Sequence, residues 1–151
     1  MPTVARARTV AAGPEEVWEL LVDPYHLPRW WPRVERVEDA SANAWTTVMR
    51  SSSGRAVRAD YTCTDARRPR RLVWRQELDE TPFERVVREA TTEVQLEPEG
   101  DSSTRVELRA VQRLRGRSRF GGFLARRAAR RQLDAALDGL ERLFAGDRSE
   151  A

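Results

Sequence analysis

Apolar and polar residues alternate through the middle of the chain. Four runs, 57–64, 72–78, 86–96 and 104–114, keep a period of two, which is the spacing of half-buried antiparallel strands. Short segments rich in Ser, Gly, Pro and Asp separate these runs and are suited to tight turns. Residues 3–11, 34–40 and 45–50 have the same strand-like composition. The pattern therefore predicts seven strands in an antiparallel meander.

Helical patterns occur near both ends of the chain. The first starts at Pro14, carries Glu15 and Glu16 in its opening turn, and stops before Asp23-Pro24. A short aromatic turn containing Leu27-Pro28 follows it. The pattern predicts two short helices after the first strand.

The second helical pattern is longer. Its apolar residues recur at helical spacing and form one buried stripe: Leu133, Leu137, Leu140 and Phe144. We expect a long helix that begins after Gly121-Gly122 and is capped by Gly146. A single domain would then occupy residues 1–146, and residues 147–151 would be a frayed tail.

Length and composition narrow the class of protein. A chain of 151 residues is close to the commonest domain size. The sequence contains neither a run of apolar residues long enough to span a bilayer nor an N-terminal signal peptide, so we expect a cytoplasmic protein. Cys63 is the only cysteine and His26 the only histidine. We therefore expect no disulfide, no metal site and no cofactor.

The N-terminal motif resembles the START-related SRPBCC superfamily, in particular its polyketide cyclase/dehydrase and lipid-transport branch. The matching residues lie within a stretch of about twenty positions: Pro14, Val17, Trp18, Leu21, Asp23, Leu27, Pro28 and Trp30. The resemblance implies an α+β helix-grip fold, in which a curved antiparallel sheet wraps around the C-terminal helix with a hydrophobic cavity between them. It also implies the ligand class, which is lipids, isoprenoids or aromatic polyketide-like molecules.

Polar residues on otherwise apolar strand faces are the candidate ligand-binding residues. Gln76, Arg88, Thr92 and Gln112 are in phase with inward-facing neighbours, and a few fixed polar groups in an apolar lining are typical of ligand pockets. A buried arginine needs an anion or several acceptors, so Arg88 is a candidate for binding a carboxylate or enolate oxygen. Two other interpretations stay open: Arg88 pairs with an inward acid, or a bulge turns it towards solvent.

Aromatic residues supply the area that a flat ligand would need. Tyr61 and Trp74, in the middle of central strands, are the best candidates to face the cavity. Trp30, Trp31, Trp45 and Phe83 add to this area, although ordinary core packing also explains them. Trp18 is expected to be a core residue of its helix, and His26 an exposed turn residue rather than a general base.

All 27 basic residues are arginines, and eight of them lie between Arg113 and Arg131 without an intervening acid. Such a cluster suits contact with an anionic membrane or a macromolecular partner. The residues between these arginines are small or aliphatic rather than aromatic, so we expect no nucleic-acid partner. Most charge runs are solvated faces, and that interpretation stays open. The oligomeric state is not determined by the sequence.

Taken together, these features favour binding of a small hydrophobic ligand between the sheet and the C-terminal helix, with transport of that ligand as a further role that stays open. Non-enzymatic binding is preferred to the first alternative, a polyketide cyclase or dehydratase, for which no catalytic residue is identified. The second alternative is a protein or RNA interaction module that uses the arginine-rich surface.

Overall fold

Seven antiparallel strands and three α-helices form the described part of the chain. The structure is a computed structural model that describes residues 3–51, 53–78, 87–114 and 119–149, without the side chains of 87–88, 114, 119–121 and 146–149. The strands are β1 (Thr3–Val10), β2 (Val34–Glu38), β3 (Ala44–Arg50), β4 (Ala56–Arg67), β5 (Arg71–Glu77), β6 (Val87–Glu99) and β7 (Ser103–Leu114). The helices are α1 (Pro14–Val22), α2 (Leu27–Trp30) and α3 (Arg119–Ser149).

The strand order is β1-β7-β6-β5-β4-β3-β2, and every neighbouring pair is antiparallel. Strands β2 to β7 therefore form a meander, and β1 adds to its far edge beside β7. The predicted α+β helix-grip architecture, with its curved seven-stranded sheet, long C-terminal helix and two short helices after the first strand, is confirmed.

Helix α1 begins and ends where its sequence dictates. Pro14 occupies the first turn, where its missing N–H costs no hydrogen bond, and Asp23 is extended because Pro24 follows it. The Asp23 carboxylate then accepts a hydrogen bond from the backbone N–H of Tyr25 at 3.0 Å, which starts a 3-10 turn over Pro24–His26. This turn leads directly into α2.

Helix α3 packs its apolar stripe into the core. Leu133, Leu137 and Leu140 are fully buried, and Phe144 is 6% exposed. Gly139 lets α3 approach α2 closely, because a Cβ at this position would lie 2.5 Å from the carbonyl oxygen of Trp30. The aromatic turn after α1 is thus held between the sheet and the C-terminal half of α3.

The limits of α3 differ from those predicted. The helix begins at Arg119, so Gly121 and Gly122 lie inside its first turns, and it continues through Gly146 to Ser149. At the other end Gly146 continues the helix instead of capping it, and the prediction of its C-cap was wrong.

The predicted inner faces of the central strands are the observed ones. Tyr61 pairs with Gln76, Trp74 with Thr92, and cross-strand partners point to the same side of a sheet. The register of β6 against β7 shifts between Val87 and Glu89. Arg88 lies at this bulge, and its side chain lies outside the described residues.

Candidate functional site

A pocket lies on the inner face of the sheet, beneath the turn that contains α2. It is partly open to solvent and has a volume of about 240 Å³ including its mouth, with enclosed room for about one water molecule. Residues from α2, the turn after it and strands β2 to β5 line it: Leu27, Trp31, Val34, Trp45, Thr47, Met49, Tyr61 and Trp74. We call this set the aromatic pocket.

The aromatic rings of this region contact one another, most of them around one central ring. Trp74 lies in the centre, with ring centroids 5.9 Å from Trp31, 6.1 Å from Trp45 and 6.5 Å from Trp30, all edge-to-face. Trp45 stacks on Tyr61, with centroids 5.8 Å apart and planes 12° from parallel. Such contacts add to the stabilisation from burial, so the rings hold each other in fixed positions.

The hydroxyl group of Tyr61 lies in a dehydrated part of the pocket, although the residue as a whole is half-buried. Burial raises the pKa of Tyr61 to about 12, and a hydrogen bond with the Thr47 side chain opposes this shift in part. Tyr61 is therefore a neutral phenol at physiological pH. It can donate a hydrogen bond to a ligand, but it is a poor proton acceptor.

Two buried indole groups lack a hydrogen-bond acceptor among the described residues. They are Nε1 of Trp30 and Nε1 of Trp45, in side chains that are 3% and 8% exposed. A buried donor without a partner is destabilising, and it is satisfied when an acceptor comes within reach. Because Trp45 lines the aromatic pocket, its N–H is a candidate contact for an acceptor atom of a ligand.

Five of the six predicted ligand-binding residues can be placed. Tyr61 and Trp74 line the aromatic pocket. Gln76, Thr92 and Gln112 are half-buried on the same face of the sheet, outside the pocket lining. Their role in binding stays a prediction. The side chain of the sixth, Arg88, lies outside the described part of the structure, as does the whole of Phe83.

The aromatic pocket is lined by the α2 turn and the sheet, and α3 contributes none of its lining residues. The apolar stripe of α3 packs into the core, where Leu133, Leu137 and Leu140 are completely buried. The cavity predicted between the sheet and α3 stays a prediction.

The imidazole of His26 and the carboxylates of Asp60 and Glu77 lie outside the lining of the aromatic pocket. His26 is in the 3-10 turn, with Nδ1 3.1 Å from the carbonyl oxygen of Leu20. Glu77 accepts hydrogen bonds from Arg75 and Thr62, and these two partners lower the pKa of its carboxyl group. Asp60 is exposed on the same outer face, opposite Glu77. None of the eight lining residues is an acid, a histidine or a cation.

Sequence reasoning missed four of the lining residues: Leu27, Val34, Thr47 and Met49. Thr47 and Met49 follow Trp45 at a spacing of two on β3, so alternation along this strand was the available signal. Leu27 and Val34 flank the aromatic turn, and no periodic pattern marks them as neighbours of β3.

The sequence of the chain matches one family model over residues 1–145, and that family is described as polyketide cyclase / dehydrase and lipid transport. The chain belongs to this family. The match confirms the resemblance drawn from the N-terminal motif and extends it from about twenty residues to nearly the whole length. No protein with a curated description matches the chain.

Solved structures share the fold of this polyketide cyclase/dehydrase and lipid-transport family member. A START superfamily protein from Mycobacterium smegmatis superposes with a TM-score of 0.77 at 14% identity, covering 95% of this chain and 97% of its own. The protein XoxI from Bacillus cereus gives 0.78 at 16% identity, with 96% of both chains covered. The di-domain ARO/CYC BexL of the BE-7585A biosynthetic pathway gives 0.80 at 21% identity over 94% of this chain and 46% of BexL.

No described helix has the length and hydrophobicity needed to cross a bilayer. No group of three or more His, Cys, Asp or Glu side chains is placed to hold a metal ion in the ranges that the structure describes.

Proposed function

We propose that the aromatic pocket binds one end of a small, flat, hydrophobic ligand that carries a carbonyl or similar acceptor. The carrying observation is the set of mutually packed rings of Trp31, Trp45, Trp74 and Tyr61 around a partly open space. Ligand pockets are typically apolar and aromatic with a few placed polar groups, and this lining fits that description.

The volume of the aromatic pocket limits the size of the ligand that can enter it. About 240 Å³, mouth included, is below the usual range for a whole drug-sized ligand. Its enclosed part has room for only about one water molecule, so a single ring would enter at the open mouth, against the aromatic side chains. The remainder of the ligand would then lie along the half-buried inner face of the sheet, where Gln76, Thr92 and Gln112 offer polar contacts.

The polar groups of the pocket select for an acceptor. Trp45 presents an unsatisfied N–H, and the neutral Tyr61 hydroxyl is a second donor. A ketone, quinone or phenol oxygen would accept these hydrogen bonds, whereas a plain hydrocarbon would leave the Trp45 N–H unsatisfied. Aromatic polyketide-like molecules combine flat rings with such oxygens, so we favour them over lipids and isoprenoids.

Catalysis as a polyketide cyclase or dehydratase is the second candidate. The observation in its favour is Tyr61, whose phenol stays protonated and could stabilise an enolate oxygen of a bound substrate. Cyclisation and dehydration also require a group that accepts a proton near neutral pH, and none of the eight lining residues is of that kind. Binding without turnover therefore remains the conclusion.

Native mass spectrometry of the purified protein, followed by organic extraction, tests the proposal directly. We expect an aromatic, oxygen-bearing compound bound one to one, or uptake of added 1,4-naphthoquinone with quenching of tryptophan fluorescence. A chain that carries no ligand and binds neither naphthoquinone nor naphthalene would show the proposal to be wrong.

Trp45→Phe tests the acceptor contact, because it keeps the ring and removes the N–H. We expect its preference for naphthoquinone over naphthalene to fall by roughly three- to tenfold, the usual contribution of one hydrogen bond. Trp18→Phe is the matched control, since Trp18 is 3% exposed in α1 and lies outside the pocket. An equal loss of this preference in both variants would show that the Trp45 N–H does not recognise the acceptor. In the same assay, unchanged affinity of Arg88→Ala would remove Arg88 from the site.

A further inference from the structure

The two most exposed large hydrophobic side chains of the described chain are neighbours at the start of α3. Phe123 is 56% exposed and Leu124 is 61% exposed. Single exposed apolar residues are normal on a protein surface, but an adjacent pair of this size needs an explanation.

Arginines follow this pair on the same helix. Arg127 and Arg131 continue from Phe123 at intervals of four residues, so the three side chains lie along one side of α3. Arg126 and Arg130 are also exposed. We call residues 122–131 the basic segment.

The basic segment extends past the core. Arg126 precedes the fully buried Leu133 by seven residues and so lies on the core-facing side of α3, yet it is exposed. Its Nε contacts the carbonyl oxygen of Gly122 at 3.4 Å, a group of its own helix. Ala129, at 6% exposure, is the first buried residue of the helix among the described side chains.

No ion pair among the described residues compensates the charges of the basic segment, whereas many arginines elsewhere are paired. Further along α3, Asp134 binds Arg6 at 2.8 Å, and Asp138 and Glu141 bind Arg8. On the sheet, arginines pair with acids beside them or on neighbouring strands, as Arg71 does with Glu93. Within the described part of the chain, Arg126, Arg127, Arg130 and Arg131 form no ion pair.

We propose that the basic segment docks on an anionic lipid bilayer. A helix face with arginines beside an aromatic and an aliphatic side chain is typical of helices that lie in a membrane interface. Phe123 and Leu124 enter the boundary between headgroups and acyl chains, and Arg127, Arg130 and Arg131 contact the lipid phosphates. Because α3 begins a few residues after β7 ends, docking brings this end of the sheet, with Gln112, towards the bilayer.

RNA is the competing partner for a cluster of arginines, and the exposed pair argues against it. Sequence-independent binding of single strands uses aromatic rings as stacking platforms, together with a basic groove. The basic segment is a convex helix surface on which Phe123 is the one exposed ring among the described side chains, and Leu124, the more exposed of the pair, has no ring to stack on a neighbouring base.

Vesicle co-sedimentation of the full chain tests the proposal. We expect binding to vesicles of phosphatidylcholine with phosphatidylglycerol, weaker binding at high salt, and little binding to phosphatidylcholine alone. The triple variant R127Q/R130Q/R131Q should bind the anionic vesicles about a hundredfold less tightly, given the usual contribution of each basic residue at such a surface. Phe123→Ser with Leu124→Ser should weaken binding about tenfold at low salt.

The matched control is R29Q/R55Q/R70Q. It removes the same charge from exposed arginines outside α3 that form no ion pair within the described chain. This variant should keep nearly full vesicle binding. The proposal is overturned if the control loses as much binding as the α3 variant, or if the parent chain does not bind anionic vesicles. Arginine-dependent binding to single-stranded RNA without vesicle binding would also overturn it and assign the surface to RNA.

All variants should be checked for folding by circular dichroism. The substituted side chains are exposed, so we expect melting temperatures close to that of the parent chain. The result is also independent of the aromatic pocket, because none of the variants alters a lining residue.

Discussion

The aromatic pocket and the basic segment both contain large apolar side chains, and they differ in what surrounds them. Trp31, Trp45 and Trp74 are at most 9% exposed and contact one another, whereas Phe123 and Leu124 are more than half exposed. In the pocket, the same side chains contribute to stability and, in the function we propose, to binding. In the basic segment they contribute little to stability. Substitutions in the two regions should therefore differ in their effect on the free energy of unfolding.

The largest contrast is expected between two leucines of α3. Leu140→Ala removes a fully buried side chain from the core behind α2, and we expect the free energy of unfolding to fall by about 3 to 4 kcal/mol. Leu124→Ala removes a side chain that is 61% exposed, and we expect a change of less than about 0.5 kcal/mol. Urea unfolding of both variants measures the difference. Similar losses would mean that the basic segment is part of the core.

A smaller but still large effect is expected from Gly139→Ala. The new Cβ would lie 2.5 Å from the Trp30 carbonyl oxygen, a backbone atom that cannot turn away, so α2 and α3 must separate. We expect a loss of about 3 kcal/mol in the free energy of unfolding. Gly122→Ala, in the basic segment, is the control, since the nearest atom to its Cβ would be 3.9 Å away. Equal stability of the two variants would contradict the close contact between α2 and α3.

Alkaline pH tests the dehydration of the pocket. A free tyrosine ionises near pH 10, and the pKa of Tyr61 is raised to about 12 by burial. The unfolded chain therefore loses its phenol proton first, so stability is complete below about pH 10 and declines as pH rises towards 12. We expect Tyr61 to account for roughly 2 to 3 kcal/mol of this decline.

Denaturant unfolding across this pH range checks the effect. Tyr61→Phe should remove that part of the decline, whereas Tyr25→Phe, at a residue 54% exposed, serves as the matched control. A decline of the same size in the parent chain and in Tyr61→Phe would show that the hydroxyl is hydrated.

The smallest effect is expected from the ion pairs that distinguish the two halves of α3. Asp138→Asn removes the carboxylate that pairs with Arg8, in a side chain that is 58% exposed. Exposed pairs contribute little, so we expect a loss of less than about 1 kcal/mol, and less at high salt. Thermal unfolding at two salt concentrations measures it. A loss that is larger, or insensitive to salt, would show that the acids of α3 are more than surface charges.

Much of the fold follows from local patterns. Alternation predicted the strands, and Pro14, with the glutamates after it and Asp23-Pro24 at the end, predicted α1. The glycines predicted the ends of α3 poorly, because Gly121, Gly122 and Gly146 all lie inside the helix. Glycine ends a helix only where the chain turns away, and packing of the stripe from Leu133 to Phe144 keeps the chain helical instead.

The candidate site was predicted only in part. Tyr61 and Trp74 were chosen because they lie in central strands with a known inner face, and that reasoning needs only a period of two. Thr47, and the contact of Trp31 with Trp74, depend on which strands become neighbours and on where the α2 turn folds back. Such contacts join residues far apart in the sequence, so no local pattern reports them.

The sequence by itself determined the element order, the inward faces of the central strands and the concentration of arginines near Arg127, because each depends on nearby residues. Tertiary structure decided that the aromatic pocket lies under α2, and that the arginines of the basic segment lack, among the described residues, the acidic partners that Arg6 and Arg8 have. The physical reason is that burial and charge compensation are properties of surfaces brought together by folding.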